Sequence, residues 1–268
     1  MKPQHFLLFL PLLLFAQTNA QEAQTYVCIK TNMGSMRVKL HGDTPLHREN
    51  FLKLVNKKHF NGTLFYRSVK NFVIQGGSSD SRNAPQGKHI GYGEMSVNID
   101  SEFRDNRFHK KGAICAPRQP QDINHFKMSD ISQFYIVKGR VYTHEELDIL
   151  EKRVNNPIKI QLKRQYYDPH KSTLDSLKIT DPRGFNTLLR DIKSKIDFDY
   201  AVSNYKQFTP EEREIYTTIG GCPDLDGDYT VFGEVVEGIG VIDKIAAIKT
   251  DKNDRPLQDV VITVEICN

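Results

Sequence analysis

The sequence has no tryptophan and only four cysteines among its 268 residues. None of the cysteines belongs to a Cys-x-x-Cys pair, which argues against a zinc site and against thioredoxin-like chemistry. Basic and acidic residues are interspersed and the formal net charge is only +4, so the charge pattern does not indicate nucleic-acid binding. Gly-x-Ser-x-Gly and His-Glu-x-x-His motifs are also absent, and the nine histidines do not cluster. We therefore expect no bound metal and no cofactor.

Long apolar runs are missing except at the N terminus. A basic start, Met1–His5, precedes the apolar stretch Phe6–Ala16 and the small-residue sequence Thr18-Asn19-Ala20. This order is typical of a secretory signal peptide, and the apolar stretch is short for a membrane span. We predict a signal peptide over residues 1–20 and an exported mature protein without a membrane anchor. An uncleaved anchor is the alternative.

The segment 64–77 is the most informative part of the chain. It combines two short apolar strands, a tight turn and a double-glycine exit, with Arg67 on the first strand and Gln75 on the second. Because side chains alternate along a strand, Arg67 is predicted to share its face with Phe65 and Val69. A charged side chain on an apolar strand is costly unless it is paired or functional. The alternative is an edge strand with a solvated arginine.

Three blocks of sequence resemble the cyclophilin-type peptidyl-prolyl isomerases. Phe65-Tyr66-Arg67 with Phe72-Val73-Ile74-Gln75-Gly76-Gly77 resembles their signature, Phe-His-Arg followed by Phe-Met-Ile-Gln-Gly-Gly. Ser132–Ile136 resembles their Ser-Gln-Phe-Phe-Ile strand, and Leu225–Val235 their Leu-Asp-Gly-x-x-x-Val-Phe-Gly-x-Val segment. The resemblance implies a mainly β fold over residues 24–268, a closed eight-stranded antiparallel barrel capped by helices.

The same resemblance implies the roles of site residues. Arg67 matches the catalytic arginine, which acts on the prolyl amide, and Gln75 matches the glutamine that bonds the substrate backbone and the arginine. No nucleophile, metal or cofactor takes part. The residues at substrate-binding positions are Phe72, Val73, Ala116, Gln133, Tyr135, Leu225 and Tyr229.

Several positions depart from the family pattern without removing the arginine, so activity is still expected. Asp224 stands where cyclosporin-sensitive members have tryptophan, which predicts weak cyclosporin binding. Arg118 ends the stretch that is Ala-Asn-Ala in the family, which questions one substrate contact. The remaining replacements are Tyr66 and Tyr229 for histidine, Val73 for methionine and Tyr135 for phenylalanine.

Between Lys138 and Thr218 the sequence pattern changes from that of strands to that of helices. Thr143-His144-Glu145-Glu146 and Thr209-Pro210-Glu211-Glu212 have the pattern of helix starts, and apolar spacing over 188–196 predicts a third helix. Family members have few residues here, so the resemblance implies a helical insertion over 138–218. Similar insertions in exported bacterial members indicate a periplasmic or secreted protein.

The even number of cysteines makes disulfides plausible in an exported protein, and four cysteines allow three pairings. In the family's barrel the two chain ends lie close together, so the resemblance implies a Cys28–Cys267 bridge. Cys115 and Cys222 would then form the second pair near the rim of the active site. Four buried free thiols are the alternative.

Two functions remain open from the sequence. The first is a monomeric prolyl isomerase that acts on proline-containing polypeptides and assists the folding of exported proteins. The second is a non-catalytic module that binds proline segments or acts as a chaperone through the helical insertion. An insertion that screens the pocket and narrows the substrate range is a third, weaker hypothesis.

Overall fold

The computed structural model of the protein describes residues 24–93, 98–130 and 132–267. The predicted signal peptide, residues 1–20, lies outside these ranges. The strands within them are β1 (Thr25–Thr31), β2 (Gly34–Leu40), β3 (Phe65–Ser68), β4 (Val73–Gly76), β5 (Asn98–Ile99), β6 (Ala113–Cys115), β7 (Ser129–Asp130), β8 (Phe134–Val137), β9 (Val231–Glu237) and β10 (Ile262–Cys267). The helices are α1 (Pro45–Asn56), α2 (His144–Tyr166), α3 (Lys171–Thr180), α4 (Pro182–Ala201), α5 (Pro210–Thr218) and α6 (Gly240–Ala246).

Eight strands form one antiparallel sheet in the order β10-β1-β2-β9-β6-β8-β4-β3. The sheet curls until its two edges meet, because Leu64, just before β3, bridges Val261, just before β10. The Ile262 N–H also donates to the Thr63 carbonyl at 2.7 Å. The predicted eight-stranded antiparallel fold is therefore confirmed. The small β5–β7 sheet was not predicted.

Aromatic side chains fill the interior of the curled sheet. The ring of Phe51, on α1, lies 4.9 Å from the ring of Phe60, 5.7 Å from Phe134 and 5.3 Å from Phe232, measured between centroids. Tilted and edge-on ring pairs at these distances are favourable beyond the burial of their area. Each such buried side chain stabilises the fold by about 1.5–3 kcal/mol.

The N terminus of α1 is capped by a side chain from a distant part of the sequence. Thr44 occupies the N-cap position, yet its hydroxyl makes no capping hydrogen bond. Instead the buried carboxylate of Glu102 accepts from the backbone N–H groups of Leu46 and His47, at 3.2 and 3.0 Å. A carboxylate suits this place because the helix dipole is positive there. The long irregular segment that carries Glu102 is thereby tied to the barrel.

Helices α2 to α5 lie between β8 and β9, where the helical insertion was expected. The capping boxes at Thr143 and Thr209 are both present, and α4 covers the third predicted helix. Helix α3 was not predicted. Leu147, Phe208 and Tyr216 from this segment form a buried apolar cluster. Phe108, which precedes β6, packs against the cluster and so joins the segment to the barrel. No helix in the described part of the chain has the length and apolarity needed to cross a membrane.

Cys28 on β1 and Cys267 on β10 form a disulfide between neighbouring strands, with their Cα atoms 5.8 Å apart. Cys115 and Cys222 are free and buried, so the second predicted pairing is wrong. The Cys222 thiol is directed towards the Phe72 carbonyl, at 3.5 Å, while Cys115 packs beneath Tyr135. Burial raises the pKa of the Cys222 thiol to about 12, which leaves it protonated and unreactive at neutral pH.

Candidate active site

A β-bulge brings Arg67 to the outer face of the sheet. Phe65 pairs with Gly76 and Arg67 pairs with Gln75, so β3 has one residue more than β4 across this interval. An extra residue reverses the alternation of side chains. Phe65 accordingly packs in the core while Arg67 is partly exposed. The prediction that Arg67 shares the face of Phe65 is wrong because the bulge at Tyr66 separates them.

Strand register lines up the rest of the site with Arg67. Gln75 pairs with Arg67 on one side and with Tyr135 on the other, so the three side chains lie on one face of adjacent strands. The alternating residues, Phe134 and Ile136, pack inside the barrel. The site therefore lies on the outer face of the sheet, and the core lies against the opposite face of the same strands.

A cleft of about 150 Å³ opens on this face. It is smaller than the roughly 300–1,000 Å³ sites that hold drug-sized ligands, and its size suits a single side chain. The rings of Tyr135 and Tyr229 meet edge to face, with centroids 6.0 Å apart. The lining residues are Arg67, Phe72, Val73, Gln75, Arg118, Tyr135, Leu225 and Tyr229.

Two guanidinium groups stand at the rim of the cleft and each is held by an aspartate. Arg67 Nε lies 3.6 Å from Asp254 Oδ2. Arg118 Nε donates to the Asp228 carbonyl at 2.7 Å, and its guanidinium carbon lies 4.7 Å from the centroid of the Tyr229 ring. The ring quadrupole and the aspartates limit the directions that these cations can take.

A hydrogen-bonded series fixes the amide of Gln75. Gln133 Nε2 donates to Asp130 Oδ2 at 2.9 Å, so its carbonyl oxygen faces Tyr66 and accepts from the Tyr66 hydroxyl. Gln75 Nε2 then donates to the same hydroxyl at 2.7 Å. This order leaves the Gln75 carbonyl oxygen as an acceptor for an N–H group. Burial raises the pKa of Tyr66, so its hydroxyl keeps the proton on which the series depends.

Comparison with known families decides what this cleft belongs to. The model of the family described as cyclophilin type peptidyl-prolyl cis-trans isomerase/CLD matches residues 26–154 and 196–266. The chain belongs to this family. Between its two matched stretches the family model leaves residues 155–195 unmatched, and these fall within the helical segment between β8 and β9.

Named relatives agree with this membership. A Staphylococcus aureus (strain COL) protein named for peptidyl-prolyl cis-trans isomerase activity is 25% identical over 243 residues, which is 90% of this chain and 91% of that protein. A similarly named protein of Staphylococcus haemolyticus is 26% identical over 244 residues and 90% of each chain. A longer Streptococcus pyogenes protein, named for both phosphatase and isomerase activities, is 26% identical, but this chain spans only 38% of it.

Solved structures share the fold. A cyclophilin-type isomerase of Cryptosporidium parvum superposes with a TM-score of 0.52 at 17% identity, over 92% of this chain and 99% of that one. A second structure of that protein, determined in the presence of the dipeptide Ala-Pro, gives a TM-score of 0.50 over 91% and 99%.

The structure brings most of the predicted site residues to the cleft but leaves two away from its lining. Ala116 is buried in the barrel core and its N–H donates to the Thr230 carbonyl at 3.1 Å. Gln133 lies behind the cleft and acts through Tyr66. Residues that the cleft contains as predicted are Arg67, Phe72, Val73, Gln75, Tyr135, Leu225 and Tyr229.

Sequence reasoning missed four residues of the site. Tyr66 and Arg118 were noted only as departures from the family pattern, and that departure was the signal that could have found them. His109 and Asp226 lie beneath the cleft, where His109 Nε2 is 3.0 Å from the Tyr135 hydroxyl. They are 117 positions apart, so no local pattern indicated their contact.

Proposed function

We propose that this protein catalyses cis–trans isomerisation of X–Pro bonds in exported polypeptides, with the proline ring in the 150 Å³ cleft and Arg67 at its rim. The observation that carries the proposal is the pairing of Arg67 with Gln75 beside a cleft of single-side-chain size, which has aromatic and aliphatic side chains in its lining. Family membership supports the same reaction.

The chemistry of the reaction fits these parts. Rotation about a peptide bond crosses a barrier of about 18–20 kcal/mol because twisting breaks the amide resonance. The twisted prolyl nitrogen becomes pyramidal and gains a lone pair. Arginine carries a permanent charge and a planar fork of donors, and a donor aimed at that lone pair stabilises the twisted state above either planar one. This is selective binding of the transition state.

The neighbouring groups support that role. The Asp254 carboxylate restrains the Arg67 guanidinium, 3.6 Å away, so less entropy is lost when the fork meets the substrate. The Gln75 carbonyl oxygen is left to accept from Arg67 or from a substrate N–H, since its amide nitrogen is engaged by Tyr66. Phe72, Tyr135 and Leu225 offer apolar contacts for the proline ring.

The decisive test compares wild type with Arg67→Ala by exchange NMR on a short Ala-Pro peptide. We expect Arg67→Ala to lower kcat/KM by a factor on the order of 10², the size typical of losing one transition-state donor. Arg67→Lys should recover only part of it, because a point charge replaces the fork. Arg190→Ala, which removes an exposed arginine on α4, is the control. Equal activity of Arg67→Ala and Arg190→Ala would contradict the proposal.

We also propose export to the periplasm or the cell exterior. The signal-like pattern of residues 1–20 supports it, and so does the Cys28–Cys267 disulfide, because such bonds persist in oxidising compartments. Fractionation of the native host and the mass of the N-terminal peptide test this. A mature chain beginning at Gln21 is expected, whereas a full-length cytosolic protein would overturn the proposal.

The inserted helices favour a second candidate function, binding of unfolded polypeptides. Ile179, Phe198 and Val202 are 85%, 68% and 68% exposed, so their apolar side chains are accessible to an unfolded chain. A triple Ser variant of these residues should suppress aggregation of a denatured protein less than wild type does, and should keep isomerase activity. Arg67→Ala should behave in the opposite way. No loss of suppression in the triple variant would remove this candidate.

A further inference from the structure

A buried hydrogen-bonded series runs from the floor of the cleft to the inserted helices. Tyr135, whose ring lines the cleft, has its hydroxyl 3.0 Å from His109 Nε2. His109 Nδ1 lies 2.9 Å from Asp226 Oδ1, and the Tyr216 hydroxyl donates to Asp226 Oδ2. We name these four residues, Tyr135, His109, Asp226 and Tyr216, the floor network. His109 and Tyr216 are fully buried and Tyr135 nearly so.

The donors and acceptors of the floor network have one order when the His109 ring is neutral. Asp226 Oδ1 also accepts from the His109 backbone N–H at 2.9 Å, which fixes the carboxylate against the ring. Because that carboxylate oxygen is an acceptor, Nδ1 of His109 carries a proton. In the neutral ring Nε2 is therefore an acceptor, and the Tyr135 hydroxyl donates to it. Burial raises the pKa of Tyr135 well above its usual range, so this donor keeps its proton.

The members of the floor network come from four separate parts of the chain. Tyr135 is on β8, His109 lies ahead of β6, and Asp226 follows Leu225, which lines the cleft. Tyr216 is on α5, within the helical segment between β8 and β9. The Tyr216–Asp226 hydrogen bond thus connects the inserted segment to a residue adjoining the cleft wall. Without the Tyr216 hydroxyl, Asp226 Oδ2 loses a donor on a side chain that is only 10% exposed, which is costly.

We propose that Tyr216 is a positioning residue for proline binding, which acts through Asp226 and His109 on the Tyr135 ring and the Leu225 wall. The inserted segment thereby sets how well the cleft floor fits a proline ring, without contributing a group to the cleft. This inference rests on the proposed function of the cleft. It assigns Tyr216 to substrate affinity, whereas Arg67 acts on the rotation step.

The test uses Tyr216→Phe in the full-length mature protein, with Tyr166→Phe as the matched control. Tyr166 on α2 donates to Asp199 on α4 at 2.6 Å, so the control removes the same kind of bond from the inserted segment away from the cleft. Exchange NMR with the Ala-Pro peptide gives KM and kcat for each. We expect Tyr216→Phe to raise KM about three- to tenfold, the effect of one lost hydrogen bond, with kcat changed less than twofold.

Two further outcomes separate this inference from the proposed function. If Arg67→Ala loses activity while Tyr216→Phe and Tyr166→Phe have the KM of wild type, the floor network has no positioning role and the proposed function stands. If wild type is inactive on the peptide, the proposed function fails. Peptide dissociation constants of Tyr216→Phe and Tyr166→Phe then decide the positioning role alone.

A measurement on the wild type guards against a variant that fails to fold. Nitrogen-15 shifts of the His109 ring, assigned by comparison with His109→Gln, report which ring nitrogen carries the proton. The floor network requires the Nδ1–H tautomer. A neutral His109 ring protonated at Nε2 would overturn the inference, because Tyr135 could not then donate to it.

Discussion

Tyr66 departs from the family pattern and still keeps the site ordered. It occupies the extra position of the bulge that turns Arg67 outward, and its hydroxyl also joins Gln75 to Gln133. Histidine at this position would offer one ring donor and one ring acceptor, so tyrosine preserves both functions of the group. The departure from the family pattern is therefore compatible with an oriented Gln75.

Replacing Tyr66 with phenylalanine tests this at the residue scale. The change removes the hydroxyl that holds the Gln75 amide nitrogen and the Gln133 carbonyl oxygen, and leaves the ring in place. We expect kcat/KM to fall about tenfold, as if about 1.4 kcal/mol of transition-state stabilisation were lost. Tyr205→Phe, at an exposed tyrosine, is the control. Peptide exchange rates that match in the two variants would show that Tyr66 does not orient the amide.

At the scale of elements, the pairing of β1 with β10 holds the ends of the chain together. The Cys28–Cys267 disulfide joins positions 239 residues apart, on strands that also exchange backbone hydrogen bonds. A covalent link over so long a loop restricts the unfolded chain strongly in the loop-entropy description, although measured gains are often smaller. The last strand closes the barrel, so its loss would expose the edge of β1.

Removing the disulfide should destabilise the protein by about 2–5 kcal/mol. Urea unfolding of wild type with and without a reductant measures this, and Cys28→Ser/Cys267→Ser should unfold at one midpoint in both conditions. Thiol titration provides a second reading. Native protein should show no reactive thiol and unfolded protein two, since Cys115 and Cys222 are buried and free. A reductant-insensitive wild type would contradict the bond.

For the whole molecule, the floor network links the cleft to the helical segment between β8 and β9, although no residue that lines the cleft comes from that segment. The family model leaves residues 155–195 unmatched but matches residues 196–266, which include α5 and its Tyr216, a member of the network beneath the cleft. Barrel and insertion are therefore coupled by buried polar contacts as well as by the apolar cluster around Leu147 and Phe208. These polar contacts favour a single arrangement of the helical segment on the barrel, because moving one hydrogen-bond partner away leaves the other unsatisfied.

Acid should destabilise the fold through buried histidines. Burial, with Arg107 nearby, lowers the pKa of His41 from 6.5 to about 4, and burial also lowers the pKa of His47 against the opposing effect of Glu102. A folded pKa below the unfolded one means that the unfolded chain binds the proton first. Stability is therefore full above about pH 6.5 and falls as the pH drops towards 4, by at most about 3 kcal/mol for His41.

Urea unfolding between pH 7.5 and 4.5 measures this loss. His41→Gln should give a shallower decline of the free energy of unfolding than wild type, because the titrating group is gone. His170→Gln, which changes an exposed histidine, should follow the wild-type curve. A decline in His41→Gln as steep as in wild type would assign the acid sensitivity to other groups.

Much of the fold and part of the site could be predicted from the sequence because their signals are local. The capping boxes at Thr143 and Thr209 lie within four residues each, and both form as predicted. The strands around Arg67, Gln75 and Tyr135 followed from motifs of a few residues, whereas the bulge in β3 that sets their register did not. Helix α3 lacked such a signal.

What the sequence by itself determined is the strands that carry the site, the capped starts of α2 and α5, and the membership of Arg67 and Gln75 in one motif. Only the tertiary structure decided the face of Arg67, the cap on α1 and the state of Cys115 and Cys222. Each of these depends on groups that meet from distant parts of the chain, as Glu102 meets α1. The packing of distant segments decides which groups are buried and which hydrogen-bond partners they have. The alternation of apolar and polar residues within one strand does not predict either.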